Sequence, residues 1–374
     1  MKIAFIGLKG IPAKWGGIEV YVEEIAKRLV QRGHEVTVYG ANWYCKDYKK
    51  NEYLGIKIKK MPTIRIKATE ALIANFGASL HALLKNYDVI HFHGFASYYY
   101  VPLLRIFRRK IVVTTHGYDS GWNNPKYNKL GTLVIKRGHD LGVKYAHEVT
   151  TVAEYIKRIL EQKFNRPVKV LPSGISQTDL MPPKLIARDY GLKPYNFILF
   201  LGRIDPIKRI DWVIRAFKEI KNNTLKLVIA GGTFSSSDPY LFKLKQMAEG
   251  NSNIIFTGFV RGEKKAELLS NCRLFVLPSL AEGVPVSLIE AMTYRRLCLA
   301  SDIPPHAEVI TNGVDGFLFN KNNLDDLIRK LSYLGKISMD EIVSYGEKAE
   351  AKVKKKFNWD KTTQLLENIY YNLI

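Results

Sequence analysis

An α/β protein of two doubly wound parallel-sheet domains is what this sequence predicts. Short apolar runs of strand length alternate with longer segments of helical periodicity, the pattern of βαβ units around a parallel sheet. The alternation occurs twice, on either side of a stretch rich in Pro, Gly and polar residues that begins at Leu171. A chain of 374 residues is long enough for two cores of ordinary size.

In the first half, Ile3–Ile6 reads as a buried strand, Val20–Arg32 as a helix, and Glu35–Tyr39, Val89–His93 and Ile111–Thr115 as further strands. The second half repeats the order. Phe197–Leu201 is a strand, Trp212–Ile220 a helix, and Leu225–Ala230, Ile254–Thr257, Leu274–Pro278 and Leu297–Ala300 are strands. The boundary falls between Pro172 and Pro194, giving domains 1–178 and 179–358, with a last helix over 359–374 after Phe357-Asn358-Trp359-Asp360. Ligands of open parallel sheets bind at the carboxyl ends of the strands. Two such sheets facing each other would form an interdomain cleft.

Composition narrows the class. The net charge is +22, and residues 1–178 carry 29 Lys and Arg against 13 Asp and Glu, so the first half is the basic one. Such a field attracts polyanions, whether nucleic acid or an anionic membrane. No zinc-finger or RNP-like pattern supports nucleic acid. Aromatic and apolar Phe95–Leu104, followed by Arg105-Ile106-Phe107-Arg108-Arg109-Lys110, suits a membrane interface or a buried aromatic face with a basic edge. Lys57-Ile58-Lys59-Lys60 and Arg65-Ile66-Lys67 add to the charge. No apolar run is long enough to span a bilayer and no signal peptide precedes the first strand, so a cytosolic protein is expected, peripheral on the inner face of the cytoplasmic membrane if it meets one. Cys45, Cys272 and Cys298 are odd in number and lack metal spacing.

The most informative segment is Glu282-Gly283-Val284-Pro285-Val286-Ser287-Leu288-Ile289-Glu290, which follows the apolar run Arg273–Ser279. It reads as a turn from a buried strand into a helix beginning near Pro285, with Ser287 helping to cap the free amides. Those amides and the helix dipole favour a phosphate. Glu290 lies one turn into the helix while Glu282 stays on the loop. Two carboxylates, which only accept hydrogen bonds, suit the hydroxyls of a polyol beside that phosphate.

Other candidates also follow strands. Gly202-Arg203-Ile204-Asp205-Pro206-Ile207-Lys208 offers a planar fork at Arg203 and a point charge at Lys208. Gly7-Leu8-Lys9-Gly10-Ile11-Pro12-Ala13-Lys14-Trp15-Gly16-Gly17-Ile18-Glu19 allows close backbone approach, but it is not G-x-G-x-x-G. The next strand ends in Val38-Tyr39-Gly40 without the acid a dinucleotide ribose needs, which argues against NAD. His116, beside Gly117, would point from a strand end into the cleft. His91 and His93 read as cleft lining, since a metal site would need a third ligand.

Together these pieces resemble the retaining glycosyltransferases of family 4, which have the GT-B fold and use nucleotide-activated sugars. The E-x7-E of Glu282 and Glu290, the G-R-x-x-x-x-K of Gly202 to Lys208, Ala230-Gly231-Gly232, Thr257-Gly258-Phe259-Val260 and Asn271–Val276 occur in the family's order. The N-terminal loop is similar to a variant of rhamnosyltransferase-like members. The resemblance implies that Glu290 meets the ribose, Arg203 and Lys208 the diphosphate, and Glu282 the sugar hydroxyls. It implies that Gly283, Val284, Pro285 and Val286 supply the helix start, and that the backbone at Val260 reads the base. Gly202 and Gly231 open the donor pocket, Gly16 and Gly17 face the phosphates and acceptor, and His116 contacts the transferred sugar. The last helix would pack back onto the first domain, which serves the acceptor.

Two features qualify the match. The family's usual glycine after the lysine is Arg209 here, and no D-x-D triplet occurs in the chain, which disfavours a metal-dependent GT-A enzyme. The expectation is a nucleotide-diphosphate sugar as co-substrate with no cofactor or metal, and a glycan or polyprenyl-linked acceptor. The alternatives are a sugar-nucleotide epimerase of the same fold and a basic binding protein for membrane or nucleic acid.

Overall fold

The computed structural model describes residues 1–14, 16–63, 70–118, 129–175, 179–220, 224–233 and 238–374. Two compact units result: Met1–Gly174 with Phe357–Ile374, and Ile175–Lys356. The basic segment Arg65–Lys67, and Trp15 of the N-terminal loop, lie outside the described residues.

The first unit holds strands β1 (Lys2–Ile6), β2 (Glu35–Ala41), β3 (Glu52–Tyr53), β4 (Ile56–Met61), β5 (Val89–His93), β6 (Ile111–Thr115), β7 (Glu148–Thr151) and β8 (Lys169–Val170). They pair in the order β3-β4-β2-β1-β5-β6-β7-β8, and only the β3–β4 contact is antiparallel. β5 and β6 are buried along their whole length, as strands with both faces covered must be. The helix Gly17–Gln31 returns the chain from β1 to β2 and buries Tyr21, Val22, Ile25, Ala26 and Leu29 at helical spacing. The C-terminal helix Trp359–Tyr371 belongs to this unit. Its Asp360 and Glu367 meet Arg28 and Arg32 at 2.9 Å, Thr362 donates to the Pro172 carbonyl, and Trp359 lies so close to Gly174 that a Cβ there would sit 2.2 Å from the indole.

The second unit holds β9 (Phe197–Leu201), β10 (Lys226–Ala230), β11 (Ile254–Gly258), β12 (Leu274–Leu277), β13 (Leu297–Ser301) and β14 (Phe317–Phe319), all parallel in the order β11-β10-β9-β12-β13-β14. The order reverses direction at β9, with β10 on one side and β12 on the other. That switch point is where the loops part and a ligand can enter.

The tyrosines of the aromatic stretch turn inward. Tyr98 is fully buried and donates to the Thr114 carbonyl, while Tyr99 and Tyr100 donate to the carbonyls of Val134 and Leu72. Cys45, Cys272 and Cys298 are all buried free thiols. Among the described residues no helix is long and apolar enough to cross a membrane.

Candidate active site

In the second unit the loops after β9 to β12 are tied together along the carboxyl edge of the sheet. Gly202 donates its N–H to Ala230 at 3.0 Å, Ile204 to Gly232 at 3.0 Å, Gly231 to Gly258 at 2.9 Å, and Leu280 to Ile207 at 2.8 Å. Gly231 has φ +154°, and a Cβ there would stand 1.8 Å from the Gly202 carbonyl oxygen. Its lack of a side chain is therefore required by backbone packing within the chain itself. A Cβ at Gly202 would make only an ordinary contact with Phe200 at 3.5 Å.

The Leu280–Ile207 bond brings the two charged loops together. Asp205 caps the short turn Pro206–Lys208 by accepting from the Ile207 N–H, and it holds the Arg203 guanidinium at 3.0 Å. Lys208 forms an ion pair with Glu282 Oε1, the same oxygen that accepts from Ser279 Oγ at 2.7 Å. The two charged side chains are only 16% and 10% exposed. Burial works to raise the Glu282 carboxyl, but Lys208, His306 and the hydrogen bonds outweigh it and hold the group below its ordinary range.

His306, after β13, completes this cluster. Ser301 Oγ donates to the Ser279 carbonyl, and His306 Nδ1 donates to the Ser301 carbonyl at 2.8 Å. His306 Nε2 is buried with no hydrogen-bond partner among the described residues. Burial pushes this imidazole down to about 4, against the pull of Glu282.

Arg209 keeps the backbone geometry that the family's glycine would supply, with φ 48° and ψ 43° in the left-handed region. Its guanidinium lies over the Trp212 ring at 4.1 Å, an attraction that offsets part of the cost of that conformation.

The helix after Glu282 runs over Val286–Thr293 with Pro285 at its N-cap and no capping side chain. Ser287 is not the cap expected from the sequence, because it lies inside the first turn. The Val286 N–H turns back to Val284, and those of Leu288 and Ile289 bond the Pro285 carbonyl. Glu290 is one turn into the helix and accepts from Lys265 at 2.7 Å, both side chains about a third exposed. Gly283 and Val284 are partly buried before the helix, Val286 is exposed, and Val260 is partly buried in the loop after β11.

The remaining candidates sit in the first unit. Gly16 has φ +103°, and a Cβ there would meet a Glu19 carboxylate oxygen at 1.9 Å, whereas one at Gly17 would have nothing within 4 Å among the described residues. Glu19 and Glu23 accept from the backbone N–H groups of Lys9 (3.0 Å) and Ala13 (2.6 Å), fixing the loop on its own helix. His116 follows β6, half-buried, with Nε2 2.8 Å from His93 Nδ1 and its ring edge-on to Tyr21. Burial pushes His116 down to about 3.

His91 and His93 are fully buried, which corrects their reading as cleft lining. His91 lies in a hydrogen-bond chain whose direction can be worked out. Thr150 Oγ1 donates to the Val113 carbonyl, so it accepts from Thr114 Oγ1, which accepts from His91 Nε2, leaving His91 Nδ1 to accept from Tyr370 of the C-terminal helix. His91 therefore anchors that helix.

Ser279, His306, Lys265 and Glu19 were not identified as site residues from the sequence. His306, Lys265 and Glu19 act through a partner distant in sequence or through the backbone, whereas Ser279 acts on Glu282 three residues on; Ser279, closing an apolar run, and Glu19, closing the glycine loop, carried a local signal. Among the described residues no group of three or more His, Cys, Asp and Glu could hold a metal.

Comparison with known proteins shows the family and the fold. Residues 185–352 match glycosyl transferases group 1 and residues 15–178 match glycosyltransferase family 4. The chain is 26% identical to an uncharacterized glycosyltransferase of Methanocaldococcus jannaschii, over 96% of this chain and 95% of that one. It is also 26% identical to the GDP-mannose-dependent alpha-(1-6)-phosphatidylinositol monomannoside mannosyltransferase of Mycolicibacterium smegmatis, over 84% of each. Among solved structures, sucrose-phosphate synthase from Thermosynechococcus elongatus superposes with a TM-score of 0.83 at 20% identity, covering 100% of this chain and 98% of that one. That likeness shows the GT-B fold.

Proposed function

The chain belongs to the family 4 glycosyltransferases, retaining enzymes that use nucleotide-sugar donors, and on that premise we propose how its residues divide the work. The second unit holds the donor. The observation that carries this is the pairing of Lys208 with Glu282 beside the helix start at Pro285, which has no side-chain cap. An ammonium has three donors, so Lys208 can keep Glu282 and still bond a diphosphate oxygen. Arg203, oriented by Asp205, takes a second phosphate oxygen, and the uncapped helix start that Gly283 to Val286 lead into adds its positive end. Glu282 accepts from sugar hydroxyls, Glu290 from the ribose, and the backbone at Val260 reads the base. Gly231 lets this edge pack closely, and Gly202, where a side chain would meet only an ordinary contact, leaves the pocket open.

His116 contacts the transferred sugar, and Gly16 and Gly17 serve the phosphates and the acceptor. The open space at Gly17 supports this, because among the described residues nothing lies within 4 Å of a Cβ there. In the reaction the bond from the anomeric carbon to the donor phosphate oxygen breaks, and the acceptor oxygen bonds the same face of that carbon. The acceptor proton passes to the leaving phosphate. Arg203 and Lys208 stabilise the charge that develops on the diphosphate. No cofactor or metal enters this scheme.

A hexosyl or deoxyhexosyl donor, rhamnosyl in view of the N-terminal loop, fits the reading. We assign the enzyme to cell-surface polysaccharide, glycolipid or glycoprotein glycan assembly, with a polyprenyl-linked or other membrane acceptor at the cytoplasmic face. The M. smegmatis relative, whose name specifies a phosphatidylinositol mannoside, supports a lipid acceptor. So does the first unit's surface. The helix Glu70–Leu83 leaves Phe76 and Leu80 half exposed, and Ile106 and Phe107 are exposed beside Arg105 and Arg108. Apolar side chains interleaved with cations suit an anionic membrane.

The test is a thermal-shift and saturation-transfer screen of UDP-, GDP- and dTDP-sugars against the protein and its Glu290→Ala variant. Binding of one base class, lost in the variant, is expected. If no nucleotide sugar binds while anionic vesicles or nucleic acid bind tightly and salt-dependently, the donor assignment is wrong.

A further inference from the structure

The contact between His93 and His116 determines which nitrogen of His116 carries its proton. One hydrogen must lie between His93 Nδ1 and His116 Nε2, 2.8 Å apart. Both rings are neutral, because burial lowers each well below the ordinary histidine range. A neutral imidazole has one N–H and one lone pair. His93 Nε2 is buried with no hydrogen-bond partner among the described residues, and its ring is flanked by the rings of Phe5, Tyr21 and His91.

Two assignments are open, and they differ in what this buried Nε2 carries. If His93 accepted at Nδ1, its own proton would sit on Nε2 as a buried N–H without a hydrogen-bond partner among the described residues. If it donates from Nδ1, Nε2 holds only a lone pair. Orphaned buried N–H groups are rarer than under-satisfied acceptors, so the second assignment is favoured. His116 then accepts at Nε2, and its single proton must be on Nδ1, the opposite of the form an imidazole prefers in water.

We propose that His93 is a positioning residue that locks His116 in the Nδ1–H tautomer, so that His116 meets the sugar as a hydrogen-bond donor and not as a base. The proposal rests on the reading of His116 as a sugar-contacting residue. It also accounts for the acceptor proton leaving with the phosphate: His116 has its only lone pair engaged by His93. The His91 ring, tilted against that of His93 with centroids 4.2 Å apart and fixed by Tyr370 and Thr114, keeps His93 from turning.

The experiment is long-range proton–nitrogen correlation NMR on the ¹⁵N-histidine-labelled protein without ligand, with the His116 signals identified by their loss in His116→Gln. A pyrrole-type Nδ1 and pyridine-type Nε2 are expected for His116. An Nε2–H form in the wild type overturns the proposal. In His93→Phe, which removes the donor but keeps a flat ring, His116 should revert to Nε2–H. Its kcat should fall about 10–100-fold with the donor KM little changed. His93→Asn, whose amide can donate from the same position, should recover most of that loss. Unchanged kcat in His93→Phe overturns the positioning role. Unchanged turnover in His116→Gln, with the Nδ1–H signal present, overturns the sugar-contact reading and leaves the tautomer assignment standing.

Discussion

Replacing Lys208 by Met should destabilise the second unit by an amount that depends on pH in a specific way. The methionine keeps most of the aliphatic volume but leaves Glu282 with Ser279 and His306 in a site where the carboxylate is 10% exposed. Removing one partner of a buried pair costs about 3–5 kcal/mol, and the residual exposure here favours the lower end, about 3 kcal/mol at pH 7.5. In the wild type the Glu282 carboxyl is depressed, so its contribution is present above the unfolded value near ~4.3 and is lost as pH falls through the folded value. Without Lys208 the same carboxyl is raised, because burial then dominates. The variant's penalty should therefore shrink as pH falls through that raised value, and the difference from wild type should vanish only once pH has also fallen through the wild type's depressed value. The double variant Lys208→Met/Glu282→Gln should recover at least half of the loss at pH 7.5, since no buried charge is stranded. Urea unfolding from pH 7.5 to 4, followed by circular dichroism, measures all three. A penalty below about 1 kcal/mol, or one that does not vary with pH, would show that the pair is screened as a surface pair is, and the argument would fail.

Three further outcomes follow from the same geometry. Gly17→Ala should fold like the wild type yet lose most transfer activity, whereas Gly231→Ala should unfold or express poorly, because its Cβ would stand 1.8 Å from a carbonyl oxygen; thermal melts and turnover on both variants decide it. Arg209→Gly should be more stable than Arg209→Ala by about 1 kcal/mol: both lose the contact with Trp212, and only the alanine keeps the left-handed strain. His306 has a folded value of about 4, below its unfolded value near ~6.5, so the unfolded chain protonates first and stability falls as pH drops between them. The loss is about 1.4 kcal/mol per pH unit, and about 3 kcal/mol over the whole window. His306→Gln should remove that part of the slope between pH 6.5 and 4, measured by denaturation at each pH.

Most strands read from sequence are buried along nearly their whole length, although β11, read as Ile254–Thr257, is buried only at Ile254, and β7, largely buried, was not read. Phe197–Leu201 and Ile111–Thr115 are continuous apolar or β-branched runs because helices cover each side of their sheets. β4, next to the edge, carries Ile56-Lys57-Ile58-Lys59-Lys60-Met61 with alternate residues exposed, and its lysines concealed it as a generic basic segment. β3 and β8 are two residues each, too short for any periodicity. The helix start at Val286 was legible from Pro285, but the cap was not: Ser287 is a good capping type that falls two positions too late.

The site divides along the same line, between what a residue is and what it touches. Glu282, Lys208, Arg203 and Glu290 could each be picked out by type and by position after a strand. That Lys208 and Glu282 pair could not, for they are 74 positions apart and meet only because β12 lies beside β9 in the sheet. The pairing changes the chemistry expected of each. Lys208 is a cation already partly neutralised, so it cannot by itself supply full charge to a diphosphate, and Arg203, 42% exposed although held by Asp205, is the more available of the two. Glu282 in turn is kept ionised in a nearly buried place, where a carboxylate bonds a sugar hydroxyl more strongly than it would in water. A ligand that draws Lys208 toward its phosphates would loosen Lys208 from Glu282 and leave that carboxylate freer to accept from the sugar. Diphosphate and sugar recognition would then be coupled through one ion pair, and a nucleoside diphosphate alone should alter the environment of Glu282.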